Sequence, residues 1–338
     1  MSMNSSKIIF FSCLILGTLV AISSNSWLGA WMGLEINLLS FIPLMSNLKN
    51  MLTNESALKY FLVQALASSI LLFSVIFYFV NSSYIMFNLE FFNQLLMNSA
   101  LLLKMGAAPF HFWFPSVMEN LNWLNCLILM SWQKLAPLML ISYCLNPSYI
   151  YFITMISLTI GAIGGLNQLN LRSLMAYSSI SHLGWMLISM IYSEIMWMTY
   201  YCFYVILSAI IVLFFSMFSM YHLNQIYSMN FNPYIKFMML TNMLSLGGLP
   251  PFLGFLPKLL IINLLTEFKM FFLIFFMVML TLITLFYYIR ITYSAFMLMY
   301  PSLKWVSKNS NSNLNIHIYL NSISILGFPF ISLVYSLL

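Results

Sequence analysis

The side chains that could do chemistry in this sequence are ionisable groups inside long apolar segments. Five of them fall near the middle of such a segment: Glu35, Lys104, Lys134, His182 and Lys258. A charge at the centre of a bilayer costs about 2.5–3.5 kcal/mol on insertion scales, so such charges are rare and mark functional sites. A row of groups that bind and release protons, each altering the proton affinity of the next, can conduct protons. The five residues are therefore candidate proton carriers.

Structural roles are the alternative for the same residues. Glu35 and Lys104 could form a buried ion pair that fixes helix packing. Lys134 and Lys258 have no acidic residue left inside an apolar segment to pair with, which argues against a purely structural account. His182 follows a serine-rich run at 178–181 and could be a hydrogen-bonded packing residue.

The elements that position these groups must be membrane helices. Of the 338 residues, 62% are hydrophobic and only 5% are charged, whereas soluble proteins carry about 25% charged residues. This composition excludes a soluble or disordered chain. The net charge of +6 forms no basic patch, so nucleic acid is not an expected partner. The sequence has no nucleotide-binding motif, and its four cysteines are too dispersed for a metal site, so we expect no cofactor or metal bound by this chain.

Long apolar runs between polar clusters predict an all-α polytopic membrane protein with eleven transmembrane helices. The predicted segments are 5–22, 26–46, 57–80, 89–119, 121–145, 149–167, 172–192, 194–222, 235–267, 269–300 and 316–337. The first segment resembles a signal peptide, but no small-residue cleavage site follows it, so we expect it to be retained. The connections are short, which predicts a single membrane domain over residues 1–338.

Two of these segments, 89–119 and 235–267, are too long for one crossing and contain glycine and proline in their middle. Their central stretches, 106–115 and 248–257, both match G-x-x-P-F-x-x-x-x-P. Because proline removes a backbone donor, we expect both helices to be discontinuous. The predicted breaks lie at Gly106, Pro109, Gly248, Pro250 and Pro251.

The paired breaks also indicate internal repeats. They lie in the fourth and ninth segments, five apart, so equivalent helices would run in opposite directions. This predicts two inverted five-helix repeats, at about 5–145 and 149–300, followed by a final helix at 316–337. A chance match in a chain of low residue diversity is the alternative.

The basic residues outside the segment centres predict the orientation. Eleven crossings place one set of them on the face of the N-terminus and leave only Lys269 on the other face. The larger set consists of Lys7, Lys49, Lys59, Arg172, Lys236, Arg290, Lys304 and Lys308. By the positive-inside rule, the N-terminus faces the negatively charged compartment and the C-terminus faces the opposite side.

Four stretches of the sequence resemble the subunit 2 family of animal mitochondrial NADH:ubiquinone oxidoreductase, respiratory complex I. They are residues 27–37 (WLGAWMGLEIN), 103–113 (LKMGAAPFHFW), 132–134 (WQK) and 245–258 (SLGGLPPFLGFLPK). The resemblance implies the antiporter-like fold of inverted five-helix repeats. It also matches the family's working residues one at a time: its glutamate to Glu35, its lysines to Lys104, Lys134 and Lys258, and a polar or basic linking residue to His182.

That family implies a subunit of a proton-translocating NADH:ubiquinone reductase, with no redox centre of its own. FMN, iron–sulfur clusters and ubiquinone are then expected elsewhere in the complex. Expected partners are other membrane subunits, including neighbouring antiporter-like subunits and small accessory subunits, with lipids such as cardiolipin as further candidates. The expected location is the mitochondrial inner membrane, with the N-terminus toward the matrix and the C-terminus toward the intermembrane space. A stand-alone cation/proton antiporter and a purely structural spacer are the alternatives.

Overall fold

The computed structural model describes residues 5–47, 50–81, 87–228, 233–297 and 322, and these ranges are helical apart from turns and one isolated bridge. A helix satisfies its own backbone hydrogen bonds, which a lipid environment requires. The helices are α1 (Ser5–Ser23), α2 (Trp27–Met45), α3 (Met51–Asn81), α4 (Phe87–Met105), α5 (Trp113–Met118), α6 (Trp123–Met130), α7 (Trp132–Tyr143), α8 (Pro147–Gly165), α9 (Leu171–Tyr192), α10 (Glu194–Met217), α11 (Leu223–Ser228), α12 (Pro233–Gly247), α13 (Phe255–Glu267) and α14 (Phe271–Met297).

Within the described ranges, eight helical spans are long and apolar enough to cross a membrane. They are α1, α2, α3, α6 together with α7, α8, α9, α10 and α14. The two over-long segments appear as the pairs α4 and α5, and α12 and α13. The last predicted helix, 316–337, falls outside the described residues. The total of eleven crossings and the inverted repeats therefore remain predictions.

Two helix ends lie about five residues or more from the ends of the predicted segments. Helix α3 begins at Met51 rather than 57, because the polar residues at its start are helical; Lys59 Nζ lies 2.7 Å from Glu55 Oε1, one turn away. Helix α10 ends at Met217 rather than 222. The chain then forms an antiparallel bridge between Asn170 and His222 and enters the short helix α11.

The chain divides into two compact units, Met1–Ser157 and Leu158–Leu338. In the first unit, α1 packs along α2, α2 contacts α3, α3 contacts α4, and α4 contacts α7. In the second unit, α10 contacts α9, α12 and α13, and α14 packs against α12 and α13. The predicted repeat limits at 145 and 149 remain a prediction.

Glycine permits a close approach of two helices in the first unit. A Cβ atom on Gly33 of α2 would lie 2.4 Å from the backbone nitrogen of Ala21 on α1, so no larger residue fits. A Cβ on Gly17 of α1 would lie 2.8 Å from the backbone nitrogen of Asn37. This close approach fixes the α2 turn that carries Asn37, a residue of the site described below.

Candidate functional site

The first helix break separates Lys104 from the residues that follow it. Helix α4 ends at Met105, Gly106 takes a positive φ of 72°, and α5 begins at Trp113. Positive φ is strained for residues with a Cβ, so glycine suits this position. The peptide bond between Ala108 and Pro109 is cis.

Side chains cap the carbonyl groups that this break exposes. The Leu103 carbonyl accepts hydrogen bonds from the Gly106 amide (3.1 Å) and from the Trp113 indole (3.2 Å). The Lys104 carbonyl accepts one from Gln64 Nε2 of α3 (3.1 Å). The end of α4 is therefore held by α3 and by the segment beyond the break.

The Lys104 side chain lies almost wholly inside the protein, at 6% exposure. It lines a cavity of about 10 Å³ together with the polar side chains of Asn37, Tyr60, Gln64 and Gln133. Among the described residues, no hydrogen-bond acceptor or carboxylate contacts its ammonium group. Lys104 thus lines a small polar space and does not form an ion pair with a carboxylate of the described residues.

Glu35 is the acidic residue that the sequence offers as a partner for Lys104. The two groups do not come within 4.0 Å, since Lys59–Glu55 is the one such ion pair in the described part of the chain. Glu35 is also partly exposed, in contrast to Lys104. The alternative of a buried contact ion pair is therefore wrong for this structure.

A pair of amides on α2 and α7 forms the wall of the cavity. Gln133 Nε2 donates a hydrogen bond to Asn37 Oδ1 (2.9 Å), and the Tyr60 hydroxyl lies 3.4 Å from Gln133 Oε1. All three side chains are buried. The amide pair ties the helix that carries Glu35 to the helix that carries Lys134.

Lys134 lies at the start of α7 rather than in the middle of a continuous helix. The predicted segment 121–145 is interrupted at Ser131, between α6 and α7. Pro137 contributes to this irregularity, because it has no N–H for the carbonyl of Gln133 and its ring crowds that carbonyl. The Lys134 side chain is 1% exposed, and its Nζ lies 5.0 Å from the centroid of the Phe114 ring. An aromatic face attracts a cation at this distance.

The second break places Lys258 against a helix end. Helix α12 ends at Gly247, Gly248 takes a positive φ of 81°, and α13 begins at Phe255. Lys258 is 6% exposed, and its Nζ donates a hydrogen bond to the Gly247 carbonyl (2.9 Å). The carboxyl end of a helix carries partial negative charge and favours a cation. The break therefore supplies a backbone acceptor for a lysine that the sequence left without an acidic partner.

His182 is buried on α9 and contacts two tyrosines of α10. Its Nδ1 lies 2.8 Å from the Tyr200 hydroxyl, and its ring centroid is 5.2 Å from that of Tyr204. A hydrogen-bonded imidazole of this kind is compatible with proton transfer and with packing. The geometry leaves both of the predicted alternatives for His182 open.

Comparison with known proteins gives the chain a family. Residues 24–284 match the model of the membrane domain described as NADH:quinone oxidoreductase/Mrp antiporter. NADH-ubiquinone oxidoreductase chain 2 of Aedes aegypti is 59% identical over 334 residues, which cover 98% of each chain. The chain belongs to the NADH-ubiquinone oxidoreductase chain 2 family. Chain 2 of Hippopotamus amphibius is 39% identical and covers 88% of this chain and 89% of its own.

Solved structures share the fold of this chain 2 family member. A chain of respiratory complex I from Thermus thermophilus with bound aureothin superposes with a TM-score of 0.82, at 21% identity, over 97% of this chain and 79% of that one. A chain of the Mrp complex from Dietzia sp. gives a TM-score of 0.76 at 16% identity, over 89% and 61% of the two chains. These matches show an antiporter-like membrane fold. The family predicted from the four sequence stretches is confirmed.

The structure of this chain 2 protein adds site residues that the sequence did not single out. Asn37, Tyr60, Gln64 and Gln133 surround Lys104, and Tyr200 contacts His182. Gln133 and Asn37 each had one visible signal, their places in the family stretches 132–134 and 27–37. The others are common polar residues on apolar helices, and only packing distinguishes them.

Lys236, which was counted with the basic residues of the N-terminal face, lies in the first turn of α12 and is only 4% exposed. Lys49, Lys304 and Lys308, which belong to the same count, fall outside the described residues. The predicted orientation therefore remains a prediction.

Proposed function

We propose that this chain is a proton-translocating membrane subunit of respiratory NADH:ubiquinone oxidoreductase in the mitochondrial inner membrane. Electron transfer in other subunits would drive it, and protons would pass through Glu35, Lys104, Lys134, His182 and Lys258. The observation that carries this proposal is Lys104, a buried lysine that lines a polar cavity and has no carboxylate of the described residues within 4.0 Å. Such an arrangement lets the charge state of Lys104 respond to changes at Glu35.

In the proposed cycle, the negative charge of Glu35 stabilises the protonated form of Lys104. A change beside the partly exposed Glu35 would weaken this interaction, and Lys104 would release its proton. The proton would then move by way of Lys134 and water to His182 and Lys258, which follows the order of these residues along the chain. The face of Phe114 and the carbonyl of Gly247 would hold Lys134 and Lys258 in their charged forms.

The energies involved are compatible with this cycle. Moving one charge against about 100 mV costs roughly 2.3 kcal/mol. Removing the partner of a buried charge costs about 3–5 kcal/mol. The interaction of Glu35 with Lys104 acts across more than 4.0 Å and is weaker than a buried contact pair. Its loss would supply at most part of the energy needed for translocation.

The same proposal assigns the redox chemistry to other subunits. FMN, iron–sulfur clusters and ubiquinone would bind there. The partners of this chain would be other membrane subunits, including antiporter-like neighbours and small accessory subunits, together with lipids such as cardiolipin. The N-terminus would face the matrix and the C-terminus the intermembrane space.

The direct test is the substitution Lys104→Met in the intact complex, measured as protons translocated per NADH oxidised in proteoliposomes. We expect a loss of pumping, because methionine fills the site without carrying a proton. Lys59→Met is the matched control, since Lys59 lies near the start of α3 in an exposed ion pair with Glu55. Pumping at the full stoichiometry in Lys104→Met would refute this role for Lys104.

The two alternatives predict different results. A structural spacer predicts that neutralising Lys134 and Lys258 together leaves pumping unchanged, whereas the proposal predicts its loss. A stand-alone antiporter predicts that the native chain purifies as a free homo-oligomer. Co-migration with a large flavin and iron–sulfur complex would exclude it.

A further inference from the structure

We infer that a surface pocket of the first unit binds the headgroup of a zwitterionic glycerophospholipid, a lipid that carries a phosphodiester and a cationic amine. The pocket has a volume of about 340 Å³ and lies where α1 ends, α2 begins and α7 ends. This volume falls within the range of about 300–1,000 Å³ that is usual for small-molecule sites. None of the proposed proton carriers lines the pocket, so the inference goes beyond the proposed function and does not depend on it.

The position of the pocket along the helices corresponds to the depth of lipid headgroups. It lies at the ends of the apolar spans formed by α1, α2 and α6 with α7, rather than at their centres. Trp27 and Tyr143 line it, and tryptophan and tyrosine are the aromatic residues enriched at the membrane–water interface. A ligand at this place therefore has its polar part in the interface and any apolar part in the hydrocarbon layer.

The lining supplies hydrogen-bond donors that have no acceptor in the described structure. The Ser23 hydroxyl and the Asn25 amide make no hydrogen bond with another described residue. Ser26 Oγ accepts a hydrogen bond from the Gly29 amide (3.2 Å) and keeps its own O–H for a ligand. The oxygens of a phosphodiester accept hydrogen bonds from hydroxyl and amide groups, and those bonds are strengthened by the negative charge. The donor set thus suits a phosphate group.

The charge of the lining selects a headgroup of zero net charge. None of the described residues that line the pocket is acidic or basic, so an anionic headgroup would find no opposite charge there. A zwitterionic headgroup brings its own cation beside its phosphate. Aromatic rings attract ammonium groups, including quaternary ammonium, and Trp27 and Tyr143 supply two rings at this site.

Apolar side chains lead from the pocket toward the centre of the membrane. Leu16 and Leu19 on α1 are exposed, and so are Leu28 and Met32 on α2. All four lie within two turns of the helix ends that meet at the pocket. The acyl chains of a bound lipid can cover these side chains, which a soluble phosphate ester cannot do. The occupant is therefore a membrane lipid.

The first test is photolabelling of the intact complex in mixed micelles of detergent and a phosphatidylcholine that carries a diazirine next to its headgroup. We expect labelled peptides that contain residues 22–30 or 140–143. Excess unlabelled phosphatidylcholine should remove this label, whereas excess cardiolipin should not. Absence of label from both peptides would overturn the inference. Stronger competition by cardiolipin would overturn the assignment of the headgroup, because it would show a preference for an anionic lipid.

The second test measures the same labelling in variants, at a lipid concentration below saturation. Tyr143→Leu removes a ring and a hydroxyl and should lower the yield about two- to fivefold, as expected for a cation–π contact at an exposed site. Asn25→Leu removes an amide donor and should lower it about two- to tenfold. Tyr293→Leu is the matched control, since Tyr293 of α14 is 61% exposed, against 63% for Tyr143, and does not line the pocket. Native yields in both Tyr143→Leu and Asn25→Leu would contradict the inference.

A cryo-EM map of the native complex distinguishes a lipid from a protein occupant. We expect density for a phosphate group within about 3 Å of Asn25 Nδ2 or the Ser26 hydroxyl, continuous with acyl-chain density beside Leu19 or Leu28. A segment of another subunit in the pocket, or an empty pocket in a map that shows other lipids, would overturn the inference. Neither result bears on pumping by Lys104→Met, so this inference and the proposed function fail separately.

Discussion

Replacing Gly248 by alanine should displace Lys258 from its hydrogen bond and slow proton pumping. A Cβ atom at this position would lie 2.9 Å from Lys258 Nζ and 3.1 Å from its Cδ. These distances are shorter than ordinary van der Waals contact, so the lysine side chain must move. Its Nζ would then leave the Gly247 carbonyl, which it contacts at 2.9 Å.

The expected effect has two parts. The positive φ of 81° at this residue costs an alanine roughly 1–2 kcal/mol in stability. Loss of a hydrogen bond made by a charged group costs about 1.5–3 kcal/mol, which corresponds to about a 10- to 150-fold change at roughly 1.4 kcal/mol per factor of ten. The first part lowers the yield of assembled complex. The second lowers the pumping rate of the complex that does assemble.

The assay is NADH-driven proton uptake by proteoliposomes that contain equal amounts of assembled complex. Gly247→Ala is the matched control, since its Cβ would lie 3.3 Å from the Tyr288 ring and would not touch Lys258. The carbonyl of residue 247 would still accept the hydrogen bond. Native pumping in Gly248→Ala, at normal assembly, would show that the position of Lys258 is unimportant and would refute this reasoning.

Two further substitutions test the surroundings of the other buried carriers. Phe114→Leu removes the ring whose centroid lies 5.0 Å from Lys134 Nζ. We expect pumping to be slower by about a factor of two to thirty, because a cation–π contact contributes about 0.5–2 kcal/mol. Phe114→Tyr, measured in the same proteoliposome assay, should retain the rate. Tyr200→Phe removes the hydroxyl 2.8 Å from His182 Nδ1 and should slow pumping and change its solvent isotope effect if His182 carries protons, whereas a packing role predicts lower thermal stability of the complex with unchanged pumping.

The helix breaks and the buried lysines were predictable because both cost free energy inside a bilayer and are therefore rare there. A lysine inside an apolar segment stands out in a chain with 5% charged residues, and a glycine with two prolines interrupts a helix wherever it occurs. Lys104 and Lys258 are therefore visible without any knowledge of packing. Their distances to carbonyl groups and amides are not, since those depend on how separate helices meet.

The partners of Lys104 escaped prediction for a physical reason. Asn37, Gln64 and Gln133 are separated by tens of residues and lie on different helices, and a single amide in an apolar helix has many uses. The sequence also could not predict the distance between Glu35 and Lys104, so a contact ion pair remained a possible alternative. Helix ends were misjudged where polar residues continued a helix, as at Met51, because a change in composition marks the end of the apolar segment rather than the end of the helix.

The two helix breaks provide different surroundings for a buried lysine. At the first break, capping by Gln64, Trp113 and Gly106 occupies the carbonyl groups at the end of α4, so the Lys104 ammonium cannot use the Leu103 and Lys104 carbonyls freely and faces the cavity instead. At the second break, the Gly247 carbonyl is available and Lys258 binds it directly. A lysine bound to a fixed dipole holds its charge in place, whereas a lysine facing a small polar cavity depends on what the cavity contains. We expect this difference to make Lys104 the more responsive of the two groups, which is the property that the proposed first carrier of a driven proton path would require.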